Sequence, residues 1–445
     1  MSKKHNFFLG TILLTATSFV SRFIGFFFRI FLSHTFGEEQ LGIYQLIFPI
    51  YALCFSFTSA GIEIALSRNV AKEVSLGKKD RAICYLYVSL SVSVLLSLFT
   101  MRIIQANAVY LSIYILGDLR CETMISTIVY ALPFASVHSC ICGYYLGLKQ
   151  AKITAYSQFI EQTARVGSVF LFFYILSKQG DFIQILYAVY GIVISEIFAS
   201  FFCLRYYTKD HKKMLPLNHI FHFPHFSKNL LRLAIPITSN RVLTNLLQSM
   251  ESISIPLSLQ KYGYTTAESL STFGVLTGMV LPCLLFPSAI TNSIATLILP
   301  TVTEIQTSQN YEKLRNMIQK VITVCVLLGL CSGILFFIFS NLIGIIFGSP
   351  ITASYLKVLC WICPFLYTNT TLASITNGLE KTNITFSINC LGLLIRIFSI
   401  LIVIPYLGIN GYLWGLLLSQ ILSFFLYLIF LFHFLEHHQI KNRGC

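Results

Sequence analysis

The stretch that decides the fold runs from Ala234 to Glu304: AIPITSNRVLTNLLQSMESISIPLSLQKYGYTTAESLSTFGVLTGMVLPCLLFPSAITNSIATLILPTVTE. Two long apolar segments flank a short polar turn, Lys261–Ser269. The first segment carries Arg241, Asn245, Gln248 and Glu251 at spacings of four, three and three, the step of one helical face. The second carries Pro282, Pro287, Thr291 and Asn292. A charged group at membrane depth costs about 2.5–3.5 kcal/mol on insertion scales, so it faces a cavity or a partner. Proline breaks the helical hydrogen-bond ladder and is tolerated where protein or water satisfies the freed carbonyls. A polar, kinked helix pair in an apolar chain reads as the wall of a transport cavity, with Pro282 and Pro287 marking a bend that flexes.

The rest of the chain agrees with a membrane setting. It has 445 residues, 56% hydrophobic and 11% charged, against about 25% charged in soluble proteins. Twelve apolar segments approach the roughly 20 residues a bilayer requires: 7–33, 42–67, 82–103, 124–148, 153–177, 182–206, 229–257, 270–299, 319–347, 354–378, 383–406 and 411–434. The fold class is therefore an all-α polytopic membrane protein. Lys3, Lys4 and His5 precede a run that continues past Arg22 and Arg29 with no small-residue cleavage site, so a retained first helix is expected.

Charge sets the orientation. With the N-terminus inside, 21 of the 31 lysines and arginines fall in cytoplasmic segments, five in outer segments and five within spans. The positive-inside rule then places both termini in the cytoplasm and accounts for the net charge of +14 without nucleic acid. The longest loop, Tyr207–Lys228, is the cytoplasmic linker between an N-terminal lobe, 1–206, and a C-terminal lobe, 229–435, followed by a tail, 436–445. Its His211, His219, His222 and His225 fit no ligand spacing and suit anionic headgroups instead.

The lobes repeat. One offset of 231 aligns Pro133-Phe134 with Pro364-Phe365, Gly147-Leu148 with Gly378-Leu379, Ile153-Thr154 with Ile384-Thr385, Arg165 with Arg396 and Ser168 with Ser399. Six helices per repeat start both repeats on the same side, so the repeat is parallel about an axis along the membrane normal.

Nine ionisable residues lie inside spans: Arg22, Arg29, Glu63, Glu161, Arg165, Glu196, Arg241, Glu251 and Arg396. Arg241 is 12 residues into its span, roughly 18 Å deep. Glu161 and Arg165 stand i,i+4 in the favourable order. The counterpart of Glu161 is Gly392, so Arg396 needs another acid, a carbonyl or an anionic ligand. Gly25, one turn from Arg22, admits a close helix. Arg29 and Glu63 sit near span ends, where a long side chain can snorkel. The cysteines, including the pair Cys360 and Cys363, read as small apolar helix residues, and no metal or cofactor is expected. No phosphate-cradling GxxxxGK[ST] loop and no large extramembrane domain are present, so direct ATP drive and enzymatic catalysis are not expected.

The runs SRFIGFFFRIFL, LGIYQLIFPIYALC, SAGIEIALSRNVAKE, FIEQTARV and NGLEKTNITF join the opening stretch in a family pattern. The chain resembles the stage V sporulation protein B branch of the multidrug/oligosaccharidyl-lipid/polysaccharide (MOP) superfamily, related to lipid II flippases, over nearly its whole length. The resemblance implies a MATE-like V of two six-helix lobes working by alternating access. It implies movement of an undecaprenyl-pyrophosphate-linked sugar across the bacterial cytoplasmic membrane. Arg22, in Ser-Arg-x-x-Gly, matches the first-helix cavity arginine of lipid II flippases, and Arg241 the seventh-helix arginine of this branch. Arg29 is shifted by one from the next family arginine, and Glu63 stands where the branch often has proline.

The expected function is thus flipping of a lipid-linked saccharide. Arg22, Arg241, Arg165, Arg396 and Gln248 would bind substrate. Glu251, Glu196 and Glu161 would serve coupling, with H+ or Na+ as candidate ions, and Pro282 and Pro287 gating. A monomer in the bilayer is expected. The competing readings are a cation-coupled drug exporter, which would favour unpaired acids in its cavity, and a non-transporting spore-envelope assembly factor, which would not need mid-depth charges.

Overall fold

The structure, a computed structural model, describes residues 3–179, 184–210, 223–307 and 311–443. Among these there is no strand. The helices in chain order are α1 (Lys3–Leu46), α2 (48–75), α3 (Lys79–Ala106), α4 (Cys121–Gly147), α5 (Ala151–Gln179) and α6 (Leu186–Asp210). They continue with α7 (Phe223–Tyr262), α8 (Thr266–Leu285 and Ser288–Thr307), α9 (Tyr311–Phe347), α10 (Pro350–Gly378), α11 (Thr382–Leu407) and α12 (Ile409–Arg443). The expected twelve-helix order, six and six, is the order found.

Ten stretches among the described residues are long and apolar enough to cross a membrane. One of them, Ala16–Ser75, holds two of the expected spans, α1 and α2, and α7 is absent from the ten. The polar groups that single α7 out in the sequence leave it without a sufficiently apolar stretch, although at 40 residues it is long enough to span. Inside α1 the helix breaks at Gly37, whose φ of 76° suits a residue without Cβ.

Two helix starts show local chemistry. Thr265 caps α8: the Glu268 amide donates to Thr265 Oγ1 at 3.2 Å, and the Thr265 amide donates to Glu268 Oε2 at 2.9 Å. Ser349, followed by Pro350 at the first helical position, starts α10.

The 231-residue offset holds in the backbone. Lys149 and Glu380, both at φ 61°, end α4 and α10 in the same left-handed turn. The turns share a pattern: Gln150 N–H donates to Tyr145 O at 2.9 Å, and Lys381 N–H to Thr376 O at 3.1 Å. Gly117 and Gly348, also 231 apart, take φ 76° and 69°. Gly147 packs so closely on α2 that a Cβ would lie 2.7 Å from Ser67 O, and Gly378 packs on α8 with 2.9 Å to Leu299 O.

The chain forms two compact units, Met1–Phe28 with Ile43–Ser249, and Arg29–Gly42 with Met250–Cys445. The first has a core of α2, α3 and α4 residues such as Leu66, Val70, Leu86, Ile141 and Tyr145, with Leu230 and Ala234 of α7 added. The second centres on Val302, Leu314, Leu372, Ile375, Tyr427 and Leu431. The division does not follow the expected lobe boundary at 207–228. It cuts α1 and α7, because each end of these helices packs on a different set of neighbours. His211, His219 and His222 of the linker lie outside the described residues.

Candidate functional site

Within the first unit, charged side chains gather where α4, α5 and α6 meet. Gly191 brings α6 against α5, since a Cβ there would lie 2.6 Å from Val169 Cγ2. Glu161 and Arg165 form the i,i+4 ion pair, with side chains about a fifth to a quarter exposed. Glu196, buried on α6, faces His138 of α4, with Nδ1 to Oε2 at 3.3 Å. His138 Nε2 lies 3.1 Å from Ser157 Oγ of α5. Glu63 of α2 packs on Gly143, where a Cβ would lie 2.9 Å from the Glu63 carbonyl, and it is within electrostatic reach of Arg241 and His138. Helix α2 continues twelve residues beyond Glu63, to Ser75.

The N-terminal half of α7 runs antiparallel along α2. Thr238 meets Gly61 where no side chain could fit, Asn245 bonds Ser56, and Ser249 Oγ donates to Pro49 O at 3.0 Å. This seam extends over roughly 16 Å. The polar stripe of α7 is therefore shared out rather than pointed one way. Asn245 and Ser249 face α2, and Arg241 and Gln248 lie on exposed faces. Arg22 is exposed on α1, one turn from Gly25, whose absent Cβ leaves room for Gln162 of α5 at 3.2 Å.

Glu251, past the seam, belongs to the second unit and pairs with Arg396 of α11 at 3.0 Å. Tyr412 of α12 donates to Glu251 Oε1 at 2.7 Å. The acid that Arg396 needs is thus on α7. In the same unit, Asn369 of α10 donates to the backbone carbonyl and the side-chain amide oxygen of Gln420 of α12, both at 2.9 Å. Arg165 and Arg396, equivalent in the repeat, both keep a buried Nε–H with no acceptor among the described residues.

Helix α8 is interrupted twice. A π-helical stretch, Val275–Val280, precedes Pro282, and the helix breaks at Phe286-Pro287 before restarting at Ser288. Around the break the bonds are of the tighter i→i−3 kind, Ala289 N–H to Phe286 O at 3.3 Å and Ile290 N–H to Pro287 O at 3.1 Å. Both follow from proline's missing donor and its crowding of the preceding turn. The start of α8 lies on the end of α1, where a Cβ on Gly274 would come 2.6 Å from Gly42 N. Ser271 there donates to Glu38 Oε2 at 2.5 Å.

Sequence reasoning missed His138, Ser157, Cys203, Tyr412 and Gln420. The histidine alone carried a signal, being a titratable residue in the middle of an apolar helix. The others are tyrosine, serine, glutamine and cysteine, common in such helices, and only packing picks them out.

The chain is similar to known proteins along its length. The family model for polysaccharide biosynthesis proteins matches residues 8–306. Among curated proteins, the stage V sporulation protein B of Bacillus subtilis (strain 168) is 26% identical, over 92% of this chain and 80% of its own. The lipid II flippase MurJ of the same organism is 23% identical, over 87% of this chain and 75% of its own. Among solved structures, a lipid II flippase MurJ in an inward closed conformation matches with a TM-score of 0.73 and 16% identity, over 94% of this chain and 87% of that one. An inward-facing multidrug resistance transporter of the MATE family and MOP superfamily matches with a TM-score of 0.72 and 14% identity, over 96% and 99%.

Proposed function

The chain belongs to the polysaccharide biosynthesis protein family of multi-pass membrane transporters, and on that premise we propose that it flips a polyprenyl-pyrophosphate-linked saccharide across the bacterial cytoplasmic membrane by alternating access. It is a transporter rather than an enzyme. One relative is named for flipping lipid II and another for a stage of sporulation, which supports a cell-wall precursor as cargo.

The observation that carries the reading is the set of arginines in apolar helices. Arg22 and Arg241 are exposed on α1 and α7. A guanidinium there is costly unless an anion or a partner compensates it, and its planar fork suits phosphate oxygens. Gln248, exposed two turns beyond Arg241, can add a neutral hydrogen bond to the same ligand. Arg165 and Arg396 already hold acids, and each has a buried Nε–H with no acceptor among the described residues. Moving about two negative charges outward from a cell that is negative inside gains about 2.3 kcal/mol per charge per 100 mV, so export can run on the potential alone.

A second reading, cation coupling, draws on Glu251 and Glu196, buried acids in hydrogen bond with Tyr412 and His138. It is an addition to flipping or, with a drug as cargo, its rival.

The test is movement of a labelled lipid-linked sugar in proteoliposomes under an imposed potential. Arg241→Lys is expected to slow flipping and Arg241→Ala and Arg22→Ala to slow it more. Wild-type rates in both alanine variants, with normal insertion, would show that these arginines do not grip the cargo.

A further inference from the structure

We propose that α4, α5 and α6 build a zinc site from Cys142, Cys203 and His138, with Ser157 beside them, on the other side of the His138 ring from the Glu196 carboxylate that cation coupling would use. Four donor atoms converge inside the first unit. Cys142 Sγ and Cys203 Sγ are 4.0 Å apart, Cys142 Sγ is 3.3 Å from Ser157 Oγ, and Ser157 Oγ is 3.1 Å from His138 Nε2. One ligand atom each from His138, Cys142 and Cys203 falls within 4.8 Å of the others. Both cysteines are free and buried.

Three features point to a metal rather than to packing. The first is spacing. Zn–S bonds of about 2.3 Å in a tetrahedron set two sulfurs about 3.8 Å apart, close to the separation found. The second is the ring. His138 Nδ1–H donates to Glu196 Oε2 at 3.3 Å, which leaves the Nε2 lone pair on the side of Ser157 Oγ, itself 3.3 Å from Cys142 Sγ. A carboxylate behind a histidine is the arrangement that orients a zinc ligand and raises its basicity. Ser157 does not close off that lone pair by itself, because its single proton is also claimed by Thr154 O at 3.0 Å. The third is charge. Two thiolates, a neutral imidazole, a hydroxyl and Zn2+ sum to zero, so the filled site costs little in an apolar helix bundle, and binding releases the two thiol protons.

The donor set selects the cation. Sulfur with imidazole suits zinc, whereas Na+ and Mg2+ want oxygen. The other side of the same ring, toward Glu161 and Glu196, is the oxygen-rich one. His138 and Glu196 are slightly exposed, at 13% and 11% for their side chains, and mark the way in. A zinc here ties α4 to α6 and stiffens the bundle that carries the Glu161–Arg165 pair.

The test uses the full-length protein in lipid nanodiscs, reduced, equilibrated with zinc and washed. Metal content is expected to reach one zinc per chain. Cobalt in its place is expected to show a thiolate-to-cobalt charge-transfer band. Cys142→Ser, Cys203→Ser and His138→Gln are expected to lose at least tenfold in zinc affinity, and Cys140→Ser, altering a neighbouring buried thiol, to keep it. Zinc is also expected to protect Cys142 and Cys203 of the wild-type protein from alkylation, a readout that needs no variant. A wild-type protein that retains no zinc, a cobalt form without the sulfur band, or unprotected thiols in the presence of zinc would each overturn the proposal.

Discussion

Arg396 shows how a single residue is decided. It stands where the repeat removes the local acid, because the position of Glu161 is taken by Gly392. The structure supplies Glu251 at 3.0 Å and Tyr412 behind it at 2.7 Å. The acid is 8% exposed, so taking away one partner strands the other charge in the helix bundle. Such a loss costs about 3–5 kcal/mol, whereas replacing both partners with apolar residues of similar size is often neutral. Glu251→Ala is therefore expected to lower the melting temperature markedly, and the double variant Glu251→Leu/Arg396→Met to recover most of it. Thermal unfolding in detergent checks this. A double variant as unstable as the single would mean that the pair contributes through more than charge compensation. Glu161→Ala is expected to destabilise less, since its pair is more exposed and sits on one helix.

At the scale of the element, α8 is the helix built to yield. Its π-helical turn and its break at Phe286-Pro287 leave backbone carbonyls without standard partners. Pro287→Ala restores a donor and removes the ring, so the two halves can join. Slower flipping is expected, together with slower amide hydrogen exchange over 284–291, and the two should change together. Exchange that slows while transport stays at the wild-type rate would separate the break from gating. The sequence showed both prolines but not the shape of the response. The π-helical stretch ends before Pro282, and periodicity alone cannot distinguish a bulge from a smooth bend. The same holds for the polar residues of α7. Their spacing put them on one face, yet Asn245 turns to α2 and Glu251 to α11, because a 40-residue helix passes several neighbours.

For the whole molecule, the uneven placement of lysine and arginine gives the strongest prediction. With 21 of 31 on one side, both termini are expected in the cytoplasm. Cysteines introduced after Ser2 and before Arg443 should resist a membrane-impermeant thiol reagent in intact cells and react after permeabilisation. Labelling of either one in intact cells would reverse the orientation.

The amino-acid sequence by itself determined that the chain lives in a membrane, that it has twelve helices, and that they come as two copies 231 residues apart. These properties rest on composition and on local spacing, and the paired turns at Lys149 and Glu380 show how faithfully the backbone keeps the register. The sequence also located the charges, because a charge in an apolar run is visible without knowing its surroundings. Only the tertiary structure decided what each charge meets. Glu251 and Arg396 are 145 residues apart, and His138 and Cys203 are 65, so no window of sequence contains either pair. The compact units likewise cut through α1 and α7 rather than at the loop. A helix is a local structure set by its own residues, but its neighbours are chosen by packing, and the two ends of a long helix are packed separately.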